Sequence, residues 1–354
     1  MTLKTGADTA MRQKCIFAFA ALAMAAGSAA AQTTPDPATF YKAHTVRFLA
    51  GGGPGGGYDN YARLLAPHIA AALGTTVVVD NQPSAGGLAA LNHIVASDAE
   101  GLQFIIMNGG GAVLSQLFNL PTVQYDLAKV SYLATVSSSP WLVLVKPDSP
   151  LKSMADVVKT GGAVRWPATG PIDGLSDGAS MMCEAYGLNC RVVMGYKSSN
   201  EGALAIVRGE MDALYVSDTS ANNYIKSGQS RAIAVVSKVR SRFFPDMPTV
   251  LEAGGLSEEQ NWWLSARSEV DALGRIILAS PKIPPARLAY LQNILRKVLT
   301  DPVVLAEGDR LERYIEYQDP EATRKRAMGL IADVTGDRKE RLKTVVMKKY
   351  LPGG

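Results

Sequence analysis

The chain has 354 residues, with 36 Lys and Arg against 32 Asp and Glu, three histidines, three cysteines and a formal charge of +4. That field is too weak to argue for a nucleic-acid partner, and cysteines and histidines this scattered match no metal-site spacing. Past the first thirty residues no apolar run is long enough to span a bilayer.

Residues 1–31 read as a secretory signal. Arg12 and Lys14 give a basic start, Ile16 to Ala26 a short apolar stretch, and Ala29-Ala30-Ala31 a small-residue cleavage site. Met11 is the expected start, and Cys15 stands at the wrong end of the apolar stretch for a lipid anchor. The protein is therefore expected to be periplasmic, and its mature chain is long enough for two domains.

The next element, Val46–Ala50, reads as a strand. The run Gly51-Gly52-Gly53-Pro54-Gly55-Gly56-Gly57-Tyr58-Asp59 follows, and then a helix with Tyr61, Leu64, Leu65, Ile69 and Leu73 on its apolar face. Pro67 is expected to kink this helix and Gly74 to end it. Glycines in such a turn let backbone amides face a ligand, and the helix start adds a positive dipole end, so the loop is suited to an anion. Further strands are expected at Thr76–Val79, Phe104–Met107, Leu142–Val145, Ala163–Trp166, Arg191–Met194, Ala213–Val216 and Ala232–Ser237. Helices are expected at Met154–Lys159, Asp177–Tyr186, Glu201–Arg208, Pro285–Leu299 and Glu321–Lys348, which makes an α/β fold.

Two more glycine-rich loops follow strands: Asn108-Gly109-Gly110-Gly111 and Ala168-Thr169-Gly170-Pro171-Ile172-Asp173-Gly174. Both sit at carboxyl ends of strands, where open α/β sheets bind ligands. Cys183 and Cys190 are an expected disulfide in an exported chain. The segments Lys146–Pro150 and Pro245–Asn261 reset the pattern. Residues 32–146 with 260–354 are expected to form one lobe and 147–259 an inserted second lobe, with a ligand cleft at the hinge between them. The basic clusters Arg324-Lys325-Arg326 and Arg338-Lys339-Glu340-Arg341 read as a solvated helix face.

Gly51-x-Gly53-x-x-Gly56 with Asp80 further on satisfies a dinucleotide fingerprint by letter. Against it stand the export signal, Asp59 at the helix start and Pro54 inside the turn. No Lys-Ser/Thr follows the glycines, which excludes a P-loop. Ser149-x-x-Lys152, Ser217-Asp218-Thr219 and Lys159-Thr160-Gly161 echo penicillin-recognising enzymes but in the wrong order, and no Gly-x-Ser-x-Gly elbow exists. The loops offer amides and hydroxyls without an activated nucleophile, the composition of a binder with no cofactor and no enzymatic role.

The run Phe48 to Leu65 resembles the opening motif of the Bug-type periplasmic solute receptors of tripartite tricarboxylate transporters. Val77 to Gly87, Gly195 to Leu204, Arg208 to Ala213 and Pro248 to Gly254 match later blocks in order. The resemblance implies a two-lobed venus-flytrap fold with type II sheet order, a small organic carboxylate in the cleft and handover to membrane subunits; the protein is expected to be a monomer. It implies that Gly53, Pro54, Gly55, Gly56, Gly57, Tyr58 and Asp59 line the site together with Thr169, Gly170, Pro171, Ile172 and Asp173. Asn108 and Gly109 would lie beside the ligand, with Tyr196 and Asp218 on the second lobe. In the family the carboxylate is held largely by loop amides and ordered waters. The chain departs from the motif at Gly51-Gly52, where many members carry Pro-Phe, so an aromatic wall is expected to be missing there. Asp59 is expected to turn its carboxylate onto local amides. The alternatives are a nucleotide-dependent α/β enzyme and a ligand-sensing receptor for a signalling partner.

Overall fold

A computed structural model describes residues 36–352. The segment read as a signal lies outside the described residues. After a short helix α1 (Pro37–Lys42), strand β1 (Val46–Ala50) leads through the glycine run into α2 (Gly57–Leu73), followed by β2 (Val77–Asn81), α3 (Leu88–Ser97), β3 (Gln103–Asn108), α4 (Gly109–Leu117) and β4 (Ser131–Ser137). Then come β5 (Trp141–Val145), α5 (Met154–Lys159), β6 (Val164–Ala168), α6 (Gly174–Tyr186), β7 (Cys190–Met194), α7 (Ser199–Val207), β8 (Leu214–Ser217), α8 (Asp218–Lys226) and β9 (Arg231–Val236). The chain closes with α9 (Glu258–Asp271), β10 (Arg275–Ala279), α10 (Pro285–Leu299), α11 (Pro302–Arg310), α12 (Pro320–Asp333) and α13 (Gly336–Thr344).

One sheet has the order β2-β1-β3-β10-β4, with β10 antiparallel to both neighbours. Its strands alternate side chains between two cores: Phe48, Phe104, Ile106 and Ile277 face α2 and α10, whereas Leu49, Ile105, Met107 and Ile276 face α3. Burial on both faces is what a largely parallel sheet requires. The second lobe holds the ladder β8-β5-β9 and the parallel pair β6-β7. Amides of Asp212 and Ala213 donate to the Arg165 carbonyl at 3.0 and 3.3 Å, which links β6 to the segment entering β8.

The two sheets and their cores divide the chain differently from the expected limits. β5 hydrogen-bonds into the second sheet, so the chain crosses at residues 138–140. Trp263 and Leu264 of α9, and Leu342 and Val346 near the C-terminus, pack into the core of the second lobe. The chain returns at residues 272–274 and crosses again between α12 and α13. At the return, Gly274 has φ +62°, and a Cβ there would lie 2.1 Å from the Ser137 carbonyl oxygen, so only glycine fits. Helices α1, α3, α4, α8, α9 and α11 and the strands β4 and β10 are additions to the elements named from sequence. The expected long C-terminal helix breaks at Val334-Thr335. Helix α2 runs continuously through Pro67.

Cys183 on α6 and Cys190 opening β7 are joined, with Cα atoms 6.1 Å apart and a separation of seven positions in sequence. The bridge ties the end of α6 to an edge strand of the second lobe. Closing so short a loop in the unfolded chain is worth about 2 kcal/mol. Replacing both cysteines by alanine should lower the unfolding free energy in urea by that amount, and equal curves for the two proteins would contradict the assignment.

Candidate functional site

The carboxyl ends of β1, β3 and β6 converge on a narrow cavity of about 80 Å³ between the sheets. Gly53, Gly56, Gly57, Tyr58 and Asn108 line it from the first lobe, and Thr169, Ile172 and Asp173 from the second. The loops of the two lobes touch across it. A Cβ on Gly53 would lie 2.6 Å from the Lys197 carbonyl oxygen, well inside van der Waals contact. The structure is therefore a closed form in which glycine permits the approach.

Two of the three glycine-rich loops are tied down by an acid four residues on. The Gly55 amide donates to Asp59 Oδ2 at 2.8 Å, and Asp59 also pairs with Arg63 at 2.9 Å. Burial alone would raise the Asp59 pKa, but the Gly55 amide and Arg63 hold it below the ordinary carboxylate value. The Thr169 amide donates to Asp173 Oδ2 at 2.8 Å and the Gly170 amide at 3.2 Å, while the other Asp173 oxygen caps α6 through the Ser176 amide at 2.7 Å. Both carboxylates are spent on their own loops, and the Gly55, Thr169 and Gly170 amides with them. The Gly56 amide closes a turn onto the Gly53 carbonyl at 3.1 Å. The first amides of α2, at Gly57 and Tyr58, have no intrahelical acceptor.

Several expected site residues lie elsewhere. Pro54 and Gly55 form an exposed loop apex, and Asp59 is buried beneath the loop. Gly170 and Pro171 are not among the residues that line the cavity. Gly109 donates to the Gly274 carbonyl at 3.0 Å and packs against Leu273 and Ile276. Tyr196 follows an edge strand and lies in a surface depression beside Arg208. Asp218 sits one residue beyond the cavity-lining Ser217, so its side chain points behind the cleft. There it accepts from Ser241 Oγ at 2.8 Å and the Tyr314 hydroxyl at 3.2 Å.

The side chain that the sequence reading missed is Arg275, the first residue of β10. It is 6% exposed and lines the cavity. Its terminal nitrogens donate to four hydroxyls: Ser137 at 3.1 Å, Ser139 at 2.9 Å, Ser217 at 2.8 Å and Thr219 at 2.9 Å. These hydroxyls come from both lobes. Trp141 also lines the cavity, stacked on Tyr215 with ring centroids 5.2 Å apart. Tyr58 packs against Gly52, where a Cβ would be 3.1 Å from its ring. Aromatic walls are thus present from Tyr58 and Trp141 although Gly51-Gly52 lack one.

Behind Trp141 lies a buried cluster of four. Arg267 donates to Asp177 at 2.7 Å and to Asp271 at 3.0 Å, and the Tyr215 hydroxyl donates to Asp271 at 2.6 Å. Burial pushes Asp177 up to about 7 against the pull of Arg267. Burial likewise pushes Asp218 up to about 6, with the Ser241 hydrogen bond and Arg275 opposing.

A profile described as "Tripartite tricarboxylate transporter family receptor" matches residues 61–320. A UPF0065 protein of Bordetella pertussis is 27% identical over 288 residues, which cover 80% of this chain and 82% of that protein. The solved periplasmic binding protein BugD aligns with a TM-score of 0.70 at 22% identity, covering 86% of this chain and 98% of its own. An R. palustris protein solved with adipate aligns with a TM-score of 0.71 at 18% identity, covering 85% and 97%. At these identities the structural likeness carries the two-lobed fold.

Gly53→Ala should hold the lobes apart, because the added methyl meets backbone across the cleft and not within its own lobe. Small-angle scattering should give a larger radius of gyration with an unchanged melting temperature, and an unchanged radius would contradict the cross-cleft contact. The raised acids set a pH dependence. The folded state holds their protons more tightly than the unfolded chain, so this contribution is complete near pH 4 and is lost as pH rises through 6 to 7. Carboxylates held low, such as Asp59, Glu184 and Asp212, titrate below that window. The melting temperature should fall between pH 5 and pH 8, and Asp218→Asn should reduce the fall. A melting temperature that rises over this range would contradict it.

Proposed function

The chain belongs to the tripartite tricarboxylate transporter receptor family, and from that premise we propose that it captures a small organic carboxylate between its lobes and hands it to membrane subunits. It works in the periplasm as a monomer, after removal of residues 1–31. The observation that carries this reading is the cavity itself. It lies between two lobes, Asp59 and Asp173 are turned onto their own loop amides, Asp271 is engaged by Arg267 and Tyr215, and donors face inward.

The binding step needs no chemistry on the ligand. Among the described residues, those lining the cavity include no histidine or cysteine to activate a nucleophile. The expected nucleotide acid, Asp80, is paired with Arg47 on the far side of β1 and is not waiting for a ribose. Both points favour a receptor role for the site over an enzymatic one. Closure is a rotation about the three crossings, at residues 138–140, at 272–274 and between α12 and α13, and the ligand's gain comes from contacts that both lobes make only when closed.

Thermal shift with malate, adipate, benzoate and 4-hydroxybenzoate, each beside its neutral amide, and with NADH tests the reading. At a concentration a hundredfold above Kd, a true ligand adds about 2.7 kcal/mol of stability. At least one acid should raise the melting temperature while its amide and NADH do not. Stabilisation by NADH alone would overturn the proposal in favour of a nucleotide enzyme.

A further inference from the structure

We propose that Arg275 is the side-chain anchor of the cleft: its Nε–H, beside the first amides of α2, takes the ligand's carboxylate. This deepens the receptor reading above and rests on the ligand being a carboxylate. It means that negative charge is read by a buried guanidinium as well as by main chain.

Three arginines of the described residues are buried: Arg267, Arg275 and Arg287. Arg267 pairs with Asp177 and Asp271, and Arg287 pairs with Glu100. Among the described residues Arg275 has no carboxylate partner, only the four neutral hydroxyls. Buried charges are ordinarily paired because an uncompensated one is costly. The nearby acids are engaged elsewhere: Asp218 with Ser241 and Tyr314, and Asp271 with Arg267 and Tyr215.

The free valence points to an anion. Arg275 Nε is buried with no hydrogen-bond partner among the described residues, and so is Asn108 Nδ2. The two residues are direct partners in the β10–β3 ladder, so both donors emerge at one end of the sheet. The start of α2 meets them there. A Cβ on Gly57 would lie 3.6 Å from the terminal nitrogen of Arg275 and 3.8 Å from its Nε. The Tyr61 ring covers the guanidinium, with Cζ 4.6 Å from the ring centroid. The hydroxyls fix the fork in one orientation, which lowers the ordering cost of each bond to the ligand. Two of those hydroxyls, on Ser217 and Thr219, belong to the second lobe, so the anchor is assembled only in the closed form. The body of the ligand then lies along Trp141, Leu175 and Val216, which selects a carboxylate on a short apolar or aromatic frame.

The test is calorimetric titration of wild type, Arg275→Gln and Arg275→Lys with whichever of malate, adipate, benzoate and 4-hydroxybenzoate most stabilises the wild type, and with its amide. Charge-assisted hydrogen bonds of this kind correspond to about a 10- to 100-fold change in Kd. Arg275→Gln should weaken the acid by that factor and leave the amide unchanged, so the preference for the acid collapses, with Arg275→Lys between. A general loss of structure would weaken both compounds together. In wild type, the Nε–Hε NMR signal that Arg275→Lys removes should move downfield with the acid and stay still with the amide, which serves if Arg275→Gln does not fold. An Arg275→Gln protein that keeps the wild-type preference for the acid, or a stationary Nε–Hε signal, overturns the anchor while leaving the receptor reading intact. If no acid of the panel stabilises the wild type, both fall.

Discussion

An acid that bends back from the start of a helix onto the amide four residues before it fixes both mouths of this cleft. Asp59 takes the Gly55 amide and Asp173 takes the Thr169 amide, each at 2.8 Å. Glu201 repeats the device on the Lys197 amide at 2.7 Å. Glycine-rich loops would otherwise be costly to order, because glycine loses more backbone freedom on folding than any other residue. The clamp also removes negative charge from the cavity. A carboxylate satisfied by its own loop amides presents little to a ligand, so a cleft surrounded by aspartates can still receive an anion.

The same bookkeeping of donors and acceptors separates the two arginines nearest the cleft. Arg267 is balanced by two acids and acts as a strut behind Trp141. Arg275 is held by hydroxyls alone and keeps one N–H unpartnered. Because those hydroxyls come from both lobes, the position of the guanidinium and the closure of the lobes are one event. Binding energy gained at Arg275 therefore favours the closed state directly.

Much of the scaffold was legible in the sequence. β1 (Val46–Ala50) and α10 (Pro285–Leu299) have the expected limits, and the three glycine-rich loops lie at the carboxyl ends of strands as read. β4 and β10, like the β8 that was read, are buried on each face and lack the alternation of a half-exposed strand, so period alone did not mark them. Missing β10 meant missing Arg275. Its one signal was a lone arginine after Gly274 and ahead of the apolar run Ile276-Ile277-Leu278-Ala279, a place where a solvated charge has no reason to be. Tyr196 and Asp218 differ in the opposite way. Each is the immediate neighbour of a residue that lines the cavity, Lys197 and Ser217, but does not line it itself. Sequence proximity fixes the loop; it does not fix which neighbour faces in.

The most direct measurement is a crystal structure of the mature protein with a bound carboxylate ligand. The account predicts carboxylate oxygens within hydrogen-bond distance of Arg275 Nε and the Gly57 and Tyr58 amides, with Asp59 and Asp173 still clamped onto their loops. A ligand carboxylate seated instead on the Gly55 or Thr169 amide, with its aspartate displaced and Arg275 untouched, would contradict it.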